Sequence, residues 1–345
     1  MPNLAIRKDN FRTAAPRLPI LTGLVAVIVI AILLPFGLGT YPLFQATQVL
    51  VFAMALLGLN ILTGFNGQIS LGHGAFYAIG AYTAAILLDK TTIPYWAVVP
   101  MSGFTCLIAG FLFGLPALRL EGLYLALATF ALSVATPQLL KFHGFEPWTG
   151  GVQGILVTLP DPPEGVKLSG GQWFYFYCLA WTFALCLVAW NLLRGRIGRA
   201  LVAIRDHPTA AASMGIDTAF FKSATFGVSA MYTGIAGALG ALLAQFVSPD
   251  SFPPFLSITF IVGSVVGGIF SIAGSFIGAA FIVFTPNLAS QISKAAPGAI
   301  YGVFLILMIY AVPTGVVGVL HRLAGRLRPA RRVEAAAVEP LRSHP

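Results

Sequence analysis

Asn60-Ile-Leu-Thr-Gly-Phe-Asn-Gly-Gln-Ile-Ser-Leu-Gly-His-Gly-Ala-Phe-Tyr-Ala-Ile-Gly-Ala-Tyr82 is polar and dense in glycine, yet it lies between two apolar stretches of membrane-crossing length. Lipid cannot satisfy free backbone N–H and C=O groups. Irregular backbone at membrane depth therefore occurs where it lines a cavity or is buried in protein, and a helix starting there points its positive end at an anionic group. On this reading Asn60, Asn66, Gln68, Ser70 and His73 line a path, while Gly64, Gly67, Gly72 and Gly74 permit the break and close packing. The competing reading is that the small residues serve helix contact alone and that Asn and Ser satisfy neighbouring backbone.

Outward from this stretch, apolar runs recur along the whole chain. Its 345 residues are 57% hydrophobic and only 9% charged, a composition that excludes an ordinary water-soluble domain. A span needs roughly 20 apolar residues. The sequence predicts spans at Ile20–Leu38, Leu43–Thr63, His73–Leu88, Tyr95–Leu118, Gly122–Leu140, Trp173–Leu193 and Lys222–Val247. Phe255–Ser290 is too long for one straight span and folds best as two, broken near Gly267, Gly268 and Gly274, and Pro297–Val317 is the last. The expected fold is an all-α polytopic transmembrane bundle of about ten spans with broken or re-entrant glycine-rich segments.

Charge orients this bundle. The formal net charge is +9, but the basic residues sit between or beyond the apolar runs rather than on one face, which argues against nucleic-acid binding. With residues 1–19 as an uncleaved cytoplasmic tail, ten crossings place Arg119, the Arg194 to Lys222 loop and the basic tail 321–345 inside, as the positive-inside rule requires. Lys90, Lys141, Lys167 and Lys294 then lie outside. Residues 20–320 are expected to form one transmembrane domain, interrupted by an external loop at 141–172, which carries Trp148, and a cytoplasmic loop at 194–222. The tail is suited to anionic lipid headgroups.

Several chemistries lack their residues. No acidic residue falls mid-span, so a carboxylate relay for ion-driven transport has no members. The phosphate-cradling G-x-x-x-x-G-K-[ST] loop is absent, as are H-E-x-x-H and G-x-S-x-G, so ATP hydrolysis would fall to a partner chain. Cys106, Cys178 and Cys186 sit in apolar runs without metal-site spacing, and no cofactor is expected. An ion-coupled carrier, a passive channel and a membrane scaffold without a path remain as rival classes.

Two further segments carry information. Gly263-Ser-Val-Val-Gly-Gly-Ile-Phe-Ser-Ile-Ala-Gly-Ser-Phe-Ile-Gly-Ala279 repeats the texture of the first, with Gly268 preceding Ser271 as Gly67 precedes Ser70, a hint of an internal repeat. In the cytoplasmic loop, Gly198-Arg-Ala-Leu-Val-Ala-Ile-Arg-Asp-His-Pro-Thr-Ala-Ala-Ala-Ser-Met-Gly-Ile-Asp217 predicts a short helix, N-capped by Asp206, with Pro208 in its first turn and Gly215 ending it. Such a helix either fits a groove on a cytoplasmic partner or rests on lipid headgroups.

The run Leu59 to Tyr82 resembles the signature of permeases of branched-chain amino acid ABC transporters, as do Leu118 to Thr129, Gly198 to Asp206 with Ala210 to Gly215, and Gly263 to Ala279. The extra N-terminal span and the Arg119-Leu-Glu-Gly122 turn are similar to the longer, LivM type. The resemblance implies a bacterial inner-membrane importer in which this subunit pairs with a sister permease. Two cytoplasmic ATPase subunits drive it, and a periplasmic binding protein delivers leucine, isoleucine or valine; related permeases serve urea, short amides or other amino acids. Thr209-Ala-Ala-x-x-x-Gly215 is similar to the E-A-A-x-x-x-G coupling motif, departing at Thr209. The resemblance implies an ATPase coupling loop comprising Arg199, Arg205, Asp206, Ala210, Ala211 and Gly215.

Overall fold

The computed structural model describes residues 18–120, 122–160, 162–163, 165, 167–292, 297–311 and 315–319. Lipid forces each crossing segment to close its own hydrogen bonds, and the described apolar runs are helical throughout. They form α1 (Leu18–Gly37), α2 (Thr40–Leu59), α3 (His73–Lys90), α4 (Tyr95–Ala117) and α5 (Leu123–Leu140). After the short α6 (Glu146–Thr149) come α7 (Gly170–Arg194), α8 (Arg196–Asp206), α9 (Pro208–Ser213) and α10 (Thr218–Ala244). The chain continues through α11 (Phe255–Gly267), α12 (Ile272–Ile292) and α13 (Pro297–Ala311).

Each of the ten expected spans coincides with a helix. Among the described residues, seven are long and apolar enough to cross a membrane: Thr40–Phe65, Tyr95–Ala117, Leu123–Leu140, Gly170–Arg194, Thr218–Ala244, Pro249–Gly267 and Ile272–Gln291. The other three differ for separate reasons. α3 opens on His73 and closes on Asp89-Lys90, α13 has 15 residues against the roughly 20 that a crossing takes, and in α1 the described apolar stretch is Val25–Gly37. The tails 1–17 and 320–345 lie outside the described residues, as does Lys294.

Burial identifies the centre of the bundle. The spans of α10 and α2 are 78% and 72% buried within the chain, against 22% for α7 at the periphery. Small residues make this possible, because helices in lipid associate by close van der Waals packing rather than by exclusion of water. A Cβ at Gly80 of α3 would strike the backbone of Gly234 in α10, one at Gly237 the Tyr77 carbonyl, and one at Gly110 of α4 the Ala230 methyl. Phe76, Phe226 and Tyr232 fill the spaces between these contacts.

The end bearing Lys141 is closed by a two-residue ribbon. β1 (Ile155–Leu156) pairs antiparallel with β2 (Phe246–Val247), tying the 141–172 loop to the end of α10, and Lys141 Nζ meets Asp250 Oδ1 at 2.6 Å. Ser169 and Gln172 cap α7 reciprocally, and Trp173 Nε1 donates to Tyr95 Oη at 3.3 Å. Between α11 and α12 the chain reverses at Gly268, whose φ of +117° only glycine adopts readily, and Gly263 and Gly267 pack on Gly278 and Gly274 of the returning helix. The break expected near Gly267, Gly268 and Gly274 is thus a tight antiparallel hairpin.

Replacing Gly234 by alanine, where a Cβ would meet the Cys106 side chain, is expected to cost about 1–3 kcal/mol as an overpacking change, read as a lower unfolding midpoint in detergent. Gly37, where an added Cβ would meet nothing within 4 Å, serves as the control, and Gly37→Ala should leave the midpoint unchanged.

Candidate functional site: a hydroxyl-lined break beside a cytoplasmic helix pair

The first glycine-rich stretch leaves helical geometry in two steps. α2 widens into a π-helical turn over Asn60–Phe65, and then residues 66–72 run without helix until α3 begins at His73. Gly67, at φ +75°, turns the chain back. Gln68 Nε2 donates to the Lys222 carbonyl near the start of α10, whereas His73 Nε2 lies 2.7 Å from Ser229 Oγ, about 10 Å further along that helix. Residues 68–73 therefore climb from one end of the bundle into its interior, and α3 starts at depth.

Hydroxyl groups from three helices satisfy this chain. Leu71 N–H donates to Thr129 Oγ1 at 2.8 Å, Ser133 Oγ donates to the Leu71 carbonyl at 2.8 Å, and Gly74 N–H donates to Ser257 Oγ at 2.8 Å. Ser133 and Ser257 are joined at 2.7 Å. Ser70 Oγ stands 3.2 Å from His73 Nδ1, and Ser229, on the other side of the ring, donates to the Gly58 carbonyl at 2.7 Å. Gly72 packs on Thr129, whose Cβ and carbonyl oxygen an added Cβ would crowd, and Gly74 packs on the Ser257 hydroxyl itself.

Asn60 joins this break to the second one. Its Nδ2 donates to Ser275 Oγ at 3.0 Å and to the Ser271 carbonyl at 3.3 Å, and its Oδ1 accepts from Ser264 Oγ. A Cβ at Gly64 would strike the Ile269 backbone, so the two glycine-rich reversals touch directly. Each has a left-handed glycine followed three residues later by a serine that accepts from a nearby backbone N–H, Gly72 for Ser70 and Gly274 for Ser271. The repeat hinted at by spacing has a structural counterpart.

Asn60, Asn66, Gln68, Ser70 and His73 are all buried, and four of them are engaged by hydrogen bonds. Asn66 is the exception, with both side-chain polar atoms buried and without a hydrogen-bond partner among the described residues. Along 66–70 burial alternates, so Gly67 and Ile69 form the exposed edge and Ile69 is 47% accessible. The network contains hydroxyls, amides and one imidazole but no carboxylate, so neutral groups alone satisfy the irregular backbone. Among the described residues no cluster of His, Cys, Asp and Glu could hold a metal.

Thr129, Ser133, Ser229, Ser257 and Ser264 are not singled out by the sequence. A Ser or Thr in an apolar run commonly bonds its own helix at i−4, as Thr182 does with Cys178, so its presence does not announce a distant partner.

At the Gln68 end stands the pair α8–α9. Here the structure corrects one expectation: Asp206 does not cap α9. α8 runs through Asp206, and the break falls at His207, held extended at φ −151° because the residue before Pro208 is barred from helical geometry. Asp206 instead pairs with Arg205, whose Nε lies 2.9 Å from its Oδ1, and the capping acid of the loop is Asp217, which accepts from Phe220 N–H at the start of α10. Pro208 and Gly215 hold their expected places; Gly215 at φ +83° ends the turn, and Ile216 N–H donates to the Ala211 carbonyl at 3.1 Å. Ala211 is buried, whereas Arg199, Ala210, Ala212 and Met214 are exposed, Met214 by 83%. Arg205 reaches from α8 to the break, donating from Nη1 to the Gly64 carbonyl at 3.2 Å.

Comparison with known proteins places this architecture. The family described as branched-chain amino acid transport system / permease component matches residues 41–313. The chain is 33% identical to the high-affinity branched-chain amino acid transport system permease protein LivM of Salmonella typhimurium, over 83% of its own length and 72% of the relative's, and equally so to LivM of Escherichia coli. Against LivH of Escherichia coli it is 24% identical, over 77% and 91% of the two chains. No solved structure matches it. With the match spanning both glycine-rich breaks and the α8–α9 loop, the chain belongs to the family of branched-chain amino acid transport system permease components.

Proposed function

We propose that this chain is one permease subunit of an ATP-driven ABC importer for leucine, isoleucine and valine in a bacterial inner membrane. It crosses ten times with both termini in the cytoplasm and pairs with a sister permease. Two ATPase subunits bind below, and a periplasmic binding protein delivers the solute above. The observation that carries the reading is the placement of an exposed, short helix, α9, at the end of the bundle where the glycine-rich break begins. Arg194, Arg196, Arg199, Arg205 and Lys222 belong to that end, while Lys141, Asp250 and the β1–β2 ribbon mark the opposite one, in keeping with a cytoplasmic α8–α9.

The path follows residues 60–74. Hydroxyls and the Asn66 amide supply donors and acceptors for a zwitterionic solute, and the start of α3 at His73 directs its positive end inward. Docking falls to the exposed side of α9, where Met214 projects just beyond the alanines; the buried Ala211 and the left-handed Gly215 shape the turn.

Liposomes holding the full assembly should take up labelled leucine only with ATP present. Met214→Asp should lower ATPase association and uptake by about tenfold or more, the size of effect typical of a single anchoring side chain. Uptake by this chain alone would sink the importer reading, and uptake of urea or a short amide in place of leucine would reassign the substrate. A second test reads the topology: a cysteine at the exposed Leu156 should react with an impermeant thiol reagent from outside the cell, and one at Met214 only from the cytoplasmic side. The reverse pattern would invert the bundle.

A further inference from the structure

The Gly64 carbonyl is freed by the break itself. In a regular helix it would accept from the Gln68 N–H, but that group donates instead to the Leu62 carbonyl at 3.2 Å. Arg205 takes its place, with Nη1 3.2 Å from Gly64 O. The same guanidinium is held by Asp206 Oδ1, 2.9 Å from both Nε and Nη2, and its central carbon stands 5.1 Å above the ring of Phe270 at the tip of the α11–α12 hairpin. The aliphatic stem lies over Gly67, where a Cβ would come within 2.7 Å of Arg205 Cγ. One side chain from the last turn of α8 thus touches both glycine-rich reversals.

Only a guanidinium suits this position. Its planar fork can hold a carboxylate, a backbone carbonyl and an aromatic face at once, whereas an ammonium offers a single point charge. Beyond Arg205 a single residue joins the two short helices: His207 N–H donates to the Ala203 carbonyl of α8 at 3.0 Å, and its own carbonyl accepts from Ala211 N–H of α9 at 3.0 Å.

We propose that Arg205 is the transmission residue of this subunit: it fastens the α8–α9 pair to both breaks, so that a displacement of α9 by an ATPase is delivered to the Gly64–Gln68 end of the path. This rests on the reading of α9 as the ATPase contact. Arg205 is a positioning residue and does not touch the solute. Loss of the link lets the ATPases cycle without moving the break, so hydrolysis and transport separate.

The experiment reconstitutes the full assembly with wild-type, Arg205→Gln, Arg205→Lys or Phe270→Leu chain and measures assembly, ATP hydrolysis and leucine uptake in each. Arg205→Gln should assemble and hydrolyse ATP while uptake per ATP falls about tenfold, the factor that corresponds to one lost charge-assisted hydrogen bond. Arg205→Lys should not restore the ratio, and Phe270→Leu should lower it less. An unchanged ratio in Arg205→Gln overturns the proposal, as does full rescue by lysine, because a purely structural or charge role lowers hydrolysis and uptake together. Should Arg205→Gln fail to assemble, Phe270→Leu decides, an unchanged ratio again overturning it. If the wild-type assembly itself shows no ATP-dependent uptake, the importer reading fails first, independently of Arg205.

Discussion

Backbone that leaves helical geometry inside a membrane must find its hydrogen bonds in protein, and the architecture around residues 60–74 answers that requirement. Four helices lend hydroxyls to the segment: Thr129 and Ser133 from α5, Ser229 from α10, Ser257 from α11 and Ser275 from α12, the last through Asn60. None of these groups is charged, which keeps the cost of burying them low. A charge at a span centre costs about 2.5–3.5 kcal/mol on insertion scales, whereas a paired hydroxyl is tolerated. Close approach is the second condition, since a hydroxyl bonds a backbone only from about 3 Å. Glycine at positions 72 and 74 supplies it.

The same economy governs the long helices. α10 carries glycine and alanine along the faces that meet α3 and α4, so three helices touch almost backbone to backbone, and larger side chains such as Phe76 and Tyr232 fill what remains. A core built this way transmits displacement, because it has few soft side chains to absorb it. The glycine-rich breaks differ: they join at Asn60, Ile269 and Arg205 rather than along a whole helix face. A rigid frame with a polar, hydrogen-bonded segment threaded through it suits a transporter that alternates between two states.

Much of this was legible in the residues. Apolar length is a local signal, so every expected span coincides with a helix, and the glycine runs at 263–279 and 60–82 announced reversals that the structure contains. Pro208 and Gly215 likewise fixed the bounds of α9. What the sequence withheld was pairing across distance. Ser229 meets His73 from 156 positions away and Ser257 meets Gly74 from 183, and neither serine differs in sequence from one that bonds its own helix. Asp206 has the spacing to the alanine run that a cap would have; the proline two residues later moves the break to His207 and leaves the carboxylate to Arg205. The two-residue β1–β2 ribbon is too short to give an alternation pattern at all.

The non-helical segment is a transport path only if it meets the solute. Ile69, 47% accessible in the isolated chain, is the side chain on which to ask. In the assembled transporter a cysteine at Ile69 should react with a hydrophilic thiol reagent at a rate that changes with ATP and is slowed by leucine. A cysteine there that reacts only with lipid-soluble reagents, at a rate indifferent to both, would contradict a path along residues 60–74.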